Sequence, residues 1–453
     1  MTTGVAADDV APDGVAREQA EHAYGWPAPL WRALEHAKPP VRLLDPRLWR
    51  SPIRGPWLTA VFGAVLLVGL PLVMLTGFAS YDAYEPRFTG NAFPVDPAIR
   101  FPYVPWPAGV SWLYRLNQGV HVGLGLALVP VVLAKLWSVI PKLFAWPPAR
   151  SVSQLLERLT IALLVGGILF ELATGVLNIQ YDYVFGFDFY TGHYYGAWVF
   201  LAAFTAHVVL KVPVMVRSLR SRSFREELRT PLARTVPEPL DPDGLVAVAP
   251  AAPTMSRRGA LALVGGGAVV VTALTVGETL GDAVRPTALL SARGRSYGDG
   301  PTDFQVNRTA SGAQVTEAMT GPAWTLSLLG PTPVTLTRAQ LLAMPQHTVD
   351  LPIACVEGWS TVQTWSGVRL RDLVALAGVA RPGRAVVSSL ERNGAFARAT
   401  LGTQHLTHED ALLALRVNGV DLSLDHGYPA RVVAPSLPGV HNTKWVRAIE
   451  VHA

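Results

Sequence analysis

One cysteine stands among 453 residues, and it opens the run C-V-E-G-W-S, Cys355 to Ser360. Leu351 to Ala354 before it read as a strand, and Gly358 marks the stretch after it as a turn. A lone thiol is commonly a buried apolar residue. A thiolate where a strand gives way to a turn, with the carboxylate of Glu357 two residues on and Trp359 as a wall, is equally the donor set for a soft metal. A second group is made by His121, His193 and His207, each inside an otherwise apolar run where an imidazole is costly unless it has a task. Such histidines are candidate axial ligands of haem iron. The alternative for His121 is a hydrogen bond across a helix bundle, and for His193 a place in an interfacial aromatic belt beside Tyr194 and Tyr195.

The elements that must position these groups follow from composition. Half the residues are apolar and 16% are charged, which excludes a disordered chain, a coiled coil and a disulfide scaffold. A bilayer core needs about 20 apolar residues per helix, and five runs qualify: Trp57 to Ser80, Leu116 to Ala134 continuing through Lys135 to Ile140, Leu159 to Ile179 with Glu171 inside it, Phe189 to Leu210, and Gly259 to Gly277. The last is rich in Gly and Ala and also reads as a buried helix of a soluble domain. Arginine and lysine cluster before the first run (Arg42, Arg47, Arg50, Arg54), after the second (Lys142, Arg150, Arg158) and after the fourth (Arg217 through Arg258). The loops between carry Asp82, Glu85, Asp96, Asp182 and Asp188. By the positive-inside rule the N-terminus is cytoplasmic and the segment after the fifth run is extracytoplasmic. The net charge of +5 is thereby assigned to the cell membrane's inner face, and nucleic acid is not expected as a partner.

The resulting division is a cytoplasmic tail over 1–45, a four-helix membrane domain over 46–220, a Pro-rich and Asp-rich cytoplasmic linker over 221–255, a fifth helix over 256–280, and an extracytoplasmic domain over 284–453. No signal peptide precedes the first run, which serves as its own insertion signal. The fifth opens on S-R-R-G-A-L, Ser256 to Leu261, which resembles an internal twin-arginine signal; the positive-inside rule accounts for the pair equally well.

Depth separates the histidines. His193 and His207 are fourteen residues apart, about 1400° of helix and about 21 Å of rise, so they share a face. With Lys135 and Lys211 taken as markers of the inner boundary, His121 lies fourteen residues from its marker, His193 eighteen and His207 four. His121 and His193 therefore bracket one haem better than His121 and His207, whose mismatch is about 15 Å. The fourth run, Y-T-G-H-Y-Y-G-A-W-V-F-L-A-A-F-T-A-H, resembles the integral b-type cytochrome subunits of bacterial respiratory oxidoreductases, such as the formate dehydrogenase membrane subunit, over about Pro46 to Leu219. The resemblance implies haem b and exchange with quinone. It also implies a second, inner haem with a histidine from the first helix, and Trp57 to Ser80 has none. His207 is left either without a haem, with a different partner, or as the ligand that pairs with His121 in place of His193. Glu171 is a candidate for proton handling at a quinone site, or a buried bonded acid.

After Val284 the composition becomes that of an α+β domain. Strand-like runs are Trp324 to Leu328, Ala385 to Ser389 and Ala430 to Val433; helical patterns are Arg338 to Ala343, Leu370 to Ala377 and His408 to Leu415. The run C-V-E-G-W-S resembles the cysteine loop of sulfite-oxidase-fold molybdoenzymes, and more closely that of the catalytic subunit of periplasmic methionine sulfoxide reductase. W-S-G-V-R-L (Trp365 to Leu370), V-N-G-V-D-L (Val417 to Leu422), H-G-Y-P-A-R-V-V-A-P (His426 to Pro435) and N-T-K-W (Asn442 to Trp445) follow in the family's order. The resemblance, over about Gln305 to His452, implies a molybdenum–molybdopterin cofactor with Cys355 as metal ligand and Glu357 in the second shell or substrate pocket. It implies pterin or phosphate contacts at His426, Arg431, Asn442, Thr443 and Lys444, and more weakly at Asn307 and Ser389. A basic cluster for an anionic substrate is not evident, which puts sulfite in doubt.

Together these expectations describe a membrane-bound molybdenum oxidoreductase that exchanges electrons with quinone through haem b and acts on a small molecule or an oxidised protein. Reduction of an S-oxide or N-oxide is favoured by the resemblance. Oxidation of a small substrate, and a haem-free membrane anchor with a binding domain, are the alternatives. The aromatic runs Phe101 to Pro107 and Tyr181 to Tyr190 are candidate docking surfaces for the last domain, or an ordinary interfacial belt. Oligomeric state is left open.

Overall fold

The computed structural model describes residues 49–144, 152–178, 188–241, 244–291, 293, 296–392, 394 and 397–453. The expected tail, 1–45, and most of the aromatic run Tyr181 to Tyr190 lie outside the described residues. The apolar runs form five long helices: α1 Pro56–Ala83, α2 Leu113–Leu143, α3 Val152–Leu177, α4 Phe189–Arg220 and α5 Arg257–Leu280. All five are long and apolar enough to cross a membrane. They leave large apolar side chains exposed, among them Val68, Leu75, Leu163, Val209 and Val269.

The chain folds as two compact units. One comprises the described parts of 1–65, 132–169 and 198–263. In it the Glu238 carboxylate accepts from the Trp57 amide at 3.1 Å, an acid at a helix start where the dipole favours it. Arg257 is 1% exposed and faces Glu227 at 3.5 Å and Glu238 at 3.7 Å. The Pro-rich stretch expected as a linker is thus pinned at both carboxylates, although a 3-10 turn at Leu232–Arg234 is the main regular structure it contains after Arg229. Lys135 donates to the Thr59 carbonyl at 2.8 Å.

The second unit comprises 66–131, 170–197 and 264–453. It joins the remaining halves of the five helices to an α+β domain, the class expected. One sheet runs in the order β2 (Val334–Thr337), β1 (Thr325–Leu329), β10 (Val446–His452), β5 (Arg384–Ser389), β6 (Arg398–Gly402). The other runs β3 (His347–Ala354), β4 (Ser360–Arg369), β7 (Leu412–Val417), β8 (Val420–Asp421), with β9 (Arg431–Val433) also paired to β7. Among the described strands, β1 and β10 are the one pair that runs in parallel. Helices α6 (Arg338–Ala343) and α7 (Leu370–Leu376) fall where their patterns predict. A capping box of Thr337 and Gln340 starts α6.

His408 to Leu415 is not a helix. Its second half is β7, whose run L-L-A-L-R-V sends Leu413 and Leu415 into a core shared by both sheets. Leu412, Ala414 and Val417 go into a second core with Trp365 and Phe304. A strand covered on both faces loses its alternation and reads as a continuous apolar run, which periodicity cannot tell from a helix. Asn418 and Gly419, at φ 50° and 82°, turn β7 into β8 as an Asn-Gly pair should.

The segment between α1 and α2 lies against this domain. The Trp106 indole donates to the Ser436 carbonyl at 2.8 Å, so the run Phe101 to Pro107 does dock at that residue. Asn91 pairs twice with Thr400 on β6, its amide donating to the carbonyl and its oxygen accepting from the N–H, each at 2.8 Å.

Candidate functional site

Strand β3 delivers Cys355 at its end, and β4 begins at Ser360. The intervening turn is closed by the Gly358 amide donating to the Cys355 carbonyl at 3.0 Å. Gly358 has φ +96°, and a Cβ there would lie 3.0 Å from Val122, so only glycine suits the position. The thiol is buried at 4% exposure. Burial, and secondarily the Glu357 charge, push its pKa well above the ordinary thiol value. By itself the sulfur is a neutral thiol; a bound cation is what holds such a group as thiolate.

Glu357 is fixed by three donors. Arg293 Nε donates to Oε2 at 2.8 Å, a second guanidinium N–H donates to Oε1, and the Trp359 indole donates to Oε2 at 2.8 Å. This is the forked arrangement that only arginine offers a carboxylate.

Cys355 and Glu357 line a cavity of about 520 Å³, within the size range of cofactor and ligand sites. Asn307, Ser389, Asn442, Thr443 and Lys444 line it too. The Asn442 side-chain oxygen accepts from the Ala434 amide at 2.8 Å, and Ser389 donates to the Lys444 carbonyl at 2.8 Å. The Lys444 ammonium donates to the carbonyls of Arg308 and Asp425, both at 2.7 Å. Burial, then the nearby Arg431 charge, lowers its pKa far below the usual lysine range. The buried Thr443 hydroxyl has no partner among the described residues. An unpaired hydroxyl, a buried ammonium, a side-chain amide and a thiol converging on one cavity suit a phosphate-bearing pterin and its metal.

His426 and Arg431 are not on the cavity wall. The His426 ring stacks on Phe304 at 3.6 Å and bonds the Thr302 carbonyl at 2.9 Å. Arg431 lies over Trp365 at 5.4 Å and donates to the His426 carbonyl at 3.4 Å, while its Nε has no partner among the described residues. Arg431 and Lys444 both lie against Gly427.

The wall also contains residues that the sequence reading did not assign. Arg308, adjacent to Asn307, pairs with Glu391 at 3.2 Å. Arg293 comes from A-R-G-R-S-Y, a basic, glycine-containing stretch after α5 that is itself a signal. Tyr84, Phe93, Asn178 and Asp188 come from the segments flanking α1, α3 and α4, and Tyr190 from the first turn of α4. The Tyr84 and Tyr190 hydroxyls meet at 2.6 Å.

The histidines divide. His121 and His193 face each other with ring centroids 6.1 Å apart and planes at 89°. His121 Nδ1 contacts the Val73 carbonyl at 2.9 Å, and His193 Nδ1 contacts the Thr174 hydroxyl at 3.0 Å and Glu171 at 3.2 Å. His207 lies in the other compact unit and is half-buried.

Residues 313–453 match the family described as the oxidoreductase molybdopterin binding domain. The uncharacterized oxidoreductase YuiH of Bacillus subtilis is 32% identical over 28% of this chain and 64% of its own length. The sulfite oxidase of Arabidopsis thaliana is 25% identical over 34% of this chain and 47% of its own. The NADH nitrate reductase of Volvox carteri is 30% identical over 26% and 17%. The chain thus spans less than two thirds of each of these relatives. The C-terminal domain is thus a molybdopterin-binding oxidoreductase domain similar to those of sulfite oxidase and nitrate reductase.

Proposed function

We propose that the chain is a membrane-bound molybdenum oxidoreductase in which electrons pass between quinone and a small extracytoplasmic substrate through haem b. The observation that carries this reading is the Cys355 thiol lining a cavity that Tyr84, Asp188 and Tyr190, from the ends of the long helices, line as well. The molybdopterin supplies two-electron oxygen-atom chemistry when bound. Cys355 would ligate its metal, and Asn442, Thr443 and Lys444 would hold its phosphate, with Asn307 and Ser389 beside them. Glu357 is kept as a fixed carboxylate by Arg293, so it orients polar groups near the sulfur.

Charge narrows the substrate class. Arg293 and Arg308 each face a carboxylate, and Lys444, assigned to the phosphate, already donates to two carbonyls. With the described cations of the wall so committed, a neutral S-oxide or N-oxide is favoured over sulfite. The Tyr84 and Tyr190 hydroxyls, bonded to each other at 2.6 Å, both line the cavity.

For haem, the support is geometric. His121 and His193 each commit Nδ1 to a protein partner and leave Nε2 without one among the described residues, the pattern of a metal-binding imidazole. Their rings face each other with centroids 6.1 Å apart, so both would be able to hold one metal. The orientation follows the basic loops, with the N-terminus cytoplasmic and 284–453 outside. Purified protein tests the whole: one molybdenum and a Soret band per chain, with quinol-driven reduction of dimethyl sulfoxide or trimethylamine N-oxide, is expected. Turnover of sulfite with quinone as acceptor would reverse the assigned direction, and absence of both metals would leave only a membrane-anchored binding domain.

A further inference from the structure

The Cys355 turn rests on the helix that carries His121. Gln118, 2% exposed, donates its side-chain amide to the Val356 carbonyl at 2.6 Å. Its own oxygen accepts from Ser80 on α1 at 2.7 Å, so both ends of the amide are fixed. One turn along α2, Val122 lies against the bare Cα of Gly358. From Gln118, His121 is displaced by about 60° one way and Val122 by about 40° the other, so a single helical turn presents all three. On the far side of the turn, Thr279 of α5 donates to the Gly358 carbonyl at 2.7 Å. Two further contacts of helix-flanking segments, Trp106 with Ser436 and Asn91 with Thr400, bond to other parts of the domain.

We propose that Gln118 is the coupling residue of an electron route that runs from His121 along one turn of α2, across the Gln118 to Val356 hydrogen bond, and through the peptide to the Cys355 sulfur. The inference rests on the two-cofactor reading above and adds to it which bond joins the halves. The balance is that of two single-electron transfers per turnover: a quinol would give up two electrons and two protons, and the oxide substrate would take two electrons and two protons to release water, with one-electron carriage between them supplied by the haem that His121 and His193 would hold. Gln118 itself is neither oxidised nor protonated. Its function is to hold the turn in bonded contact with the haem-bearing helix, which Val122 and Gly358 permit by close approach.

The test uses the full chain carrying both cofactors, with the haem reduced by a flash-activated donor and its reoxidation by the molybdenum centre followed in the Soret band. Gln118→Leu, which keeps bulk and removes the donor, is expected to slow that step several-fold. The haem midpoint potential and the molybdenum EPR spectrum are expected to stay as in the wild type, and Gln118→Asn, which keeps an amide on a shorter stem, to give an intermediate rate. An unchanged rate in Gln118→Leu overturns the route. So does a slowed rate accompanied by a shifted potential or altered EPR spectrum, because the side chain would then be acting on a cofactor's environment. Wild-type protein that holds molybdenum and no haem overturns the two-cofactor reading itself, an outcome distinct from either.

Discussion

The amide of Cys355 donates to the carbonyl of Trp359 at 2.9 Å. This backbone bond closes the turn independently of the thiol, so the sulfur can be removed without opening the loop. Cys355→Ala is expected to retain the folded domain, with a stability change within about 1 kcal/mol in the metal-free chain because a small buried side chain is replaced by a smaller one. Oxide reduction is expected to be lost, and X-ray absorption at the molybdenum edge to show one fewer sulfur neighbour. An unchanged edge spectrum would refute the ligand assignment.

Lys444 makes two hydrogen bonds to carbonyls from a buried position. Lys444→Met keeps the stem and deletes both, leaving the carbonyls of Arg308 and Asp425 unsatisfied. A loss of about 2 kcal/mol or more in unfolding free energy follows from the usual cost of such bonds. Pterin extracted from the purified variant, measured by fluorescence, is expected to fall below the wild-type ratio. Full retention would show that the phosphate lies elsewhere.

The haem assignment separates the three histidines. His121→Ala and His193→Ala are each expected to abolish the Soret band, whereas His207→Ala keeps a six-coordinate spectrum. Loss of the band in His207→Ala with retention in His193→Ala would restore the alternative pairing.

Acid should loosen the C-terminal domain through three buried imidazoles. Burial lowers the pKa of His405 and His426 to about 3 and of His441 to about 4, from the ordinary imidazole value near 6.5. Each folded-state pKa is depressed, so the unfolded chain binds protons first. The stabilisation is complete above about pH 6.5 and declines as pH falls toward the folded values, by about 1.4 kcal/mol per pH unit for each group. The melting temperature is expected to drop between pH 7 and pH 5, and His405→Asn to flatten the dependence. A melting temperature constant over that interval would contradict the burial of these rings.

Much of this was legible because it is local. Cys355 with Glu357, and Asn442 with Thr443 and Lys444, are contiguous runs, and one stretch of backbone sets each against the cavity. The five helices were legible because composition over twenty residues is enough to mark them. The wall formed by Tyr84, Tyr190 and Arg293 was not, since it is assembled from segments far apart in the chain whose residue types are ordinary for a loop or an interfacial belt. His426 and Arg431 have the right chemistry for an anion, yet Phe304 and Trp365 hold their side chains off the cavity wall. β7 was misread because both its faces are covered.

The doubled Asn91 to Thr400 bond has a consequence for the molecule in company. β6 is the outermost strand of its sheet, and an unpaired strand margin recruits the margin of a neighbouring copy. A single carboxamide imitates a peptide unit there and occupies the N–H and the carbonyl of Thr400 at once. At that residue the margin is sealed from within the chain, which discourages strand-to-strand polymerisation where crowded copies would otherwise meet.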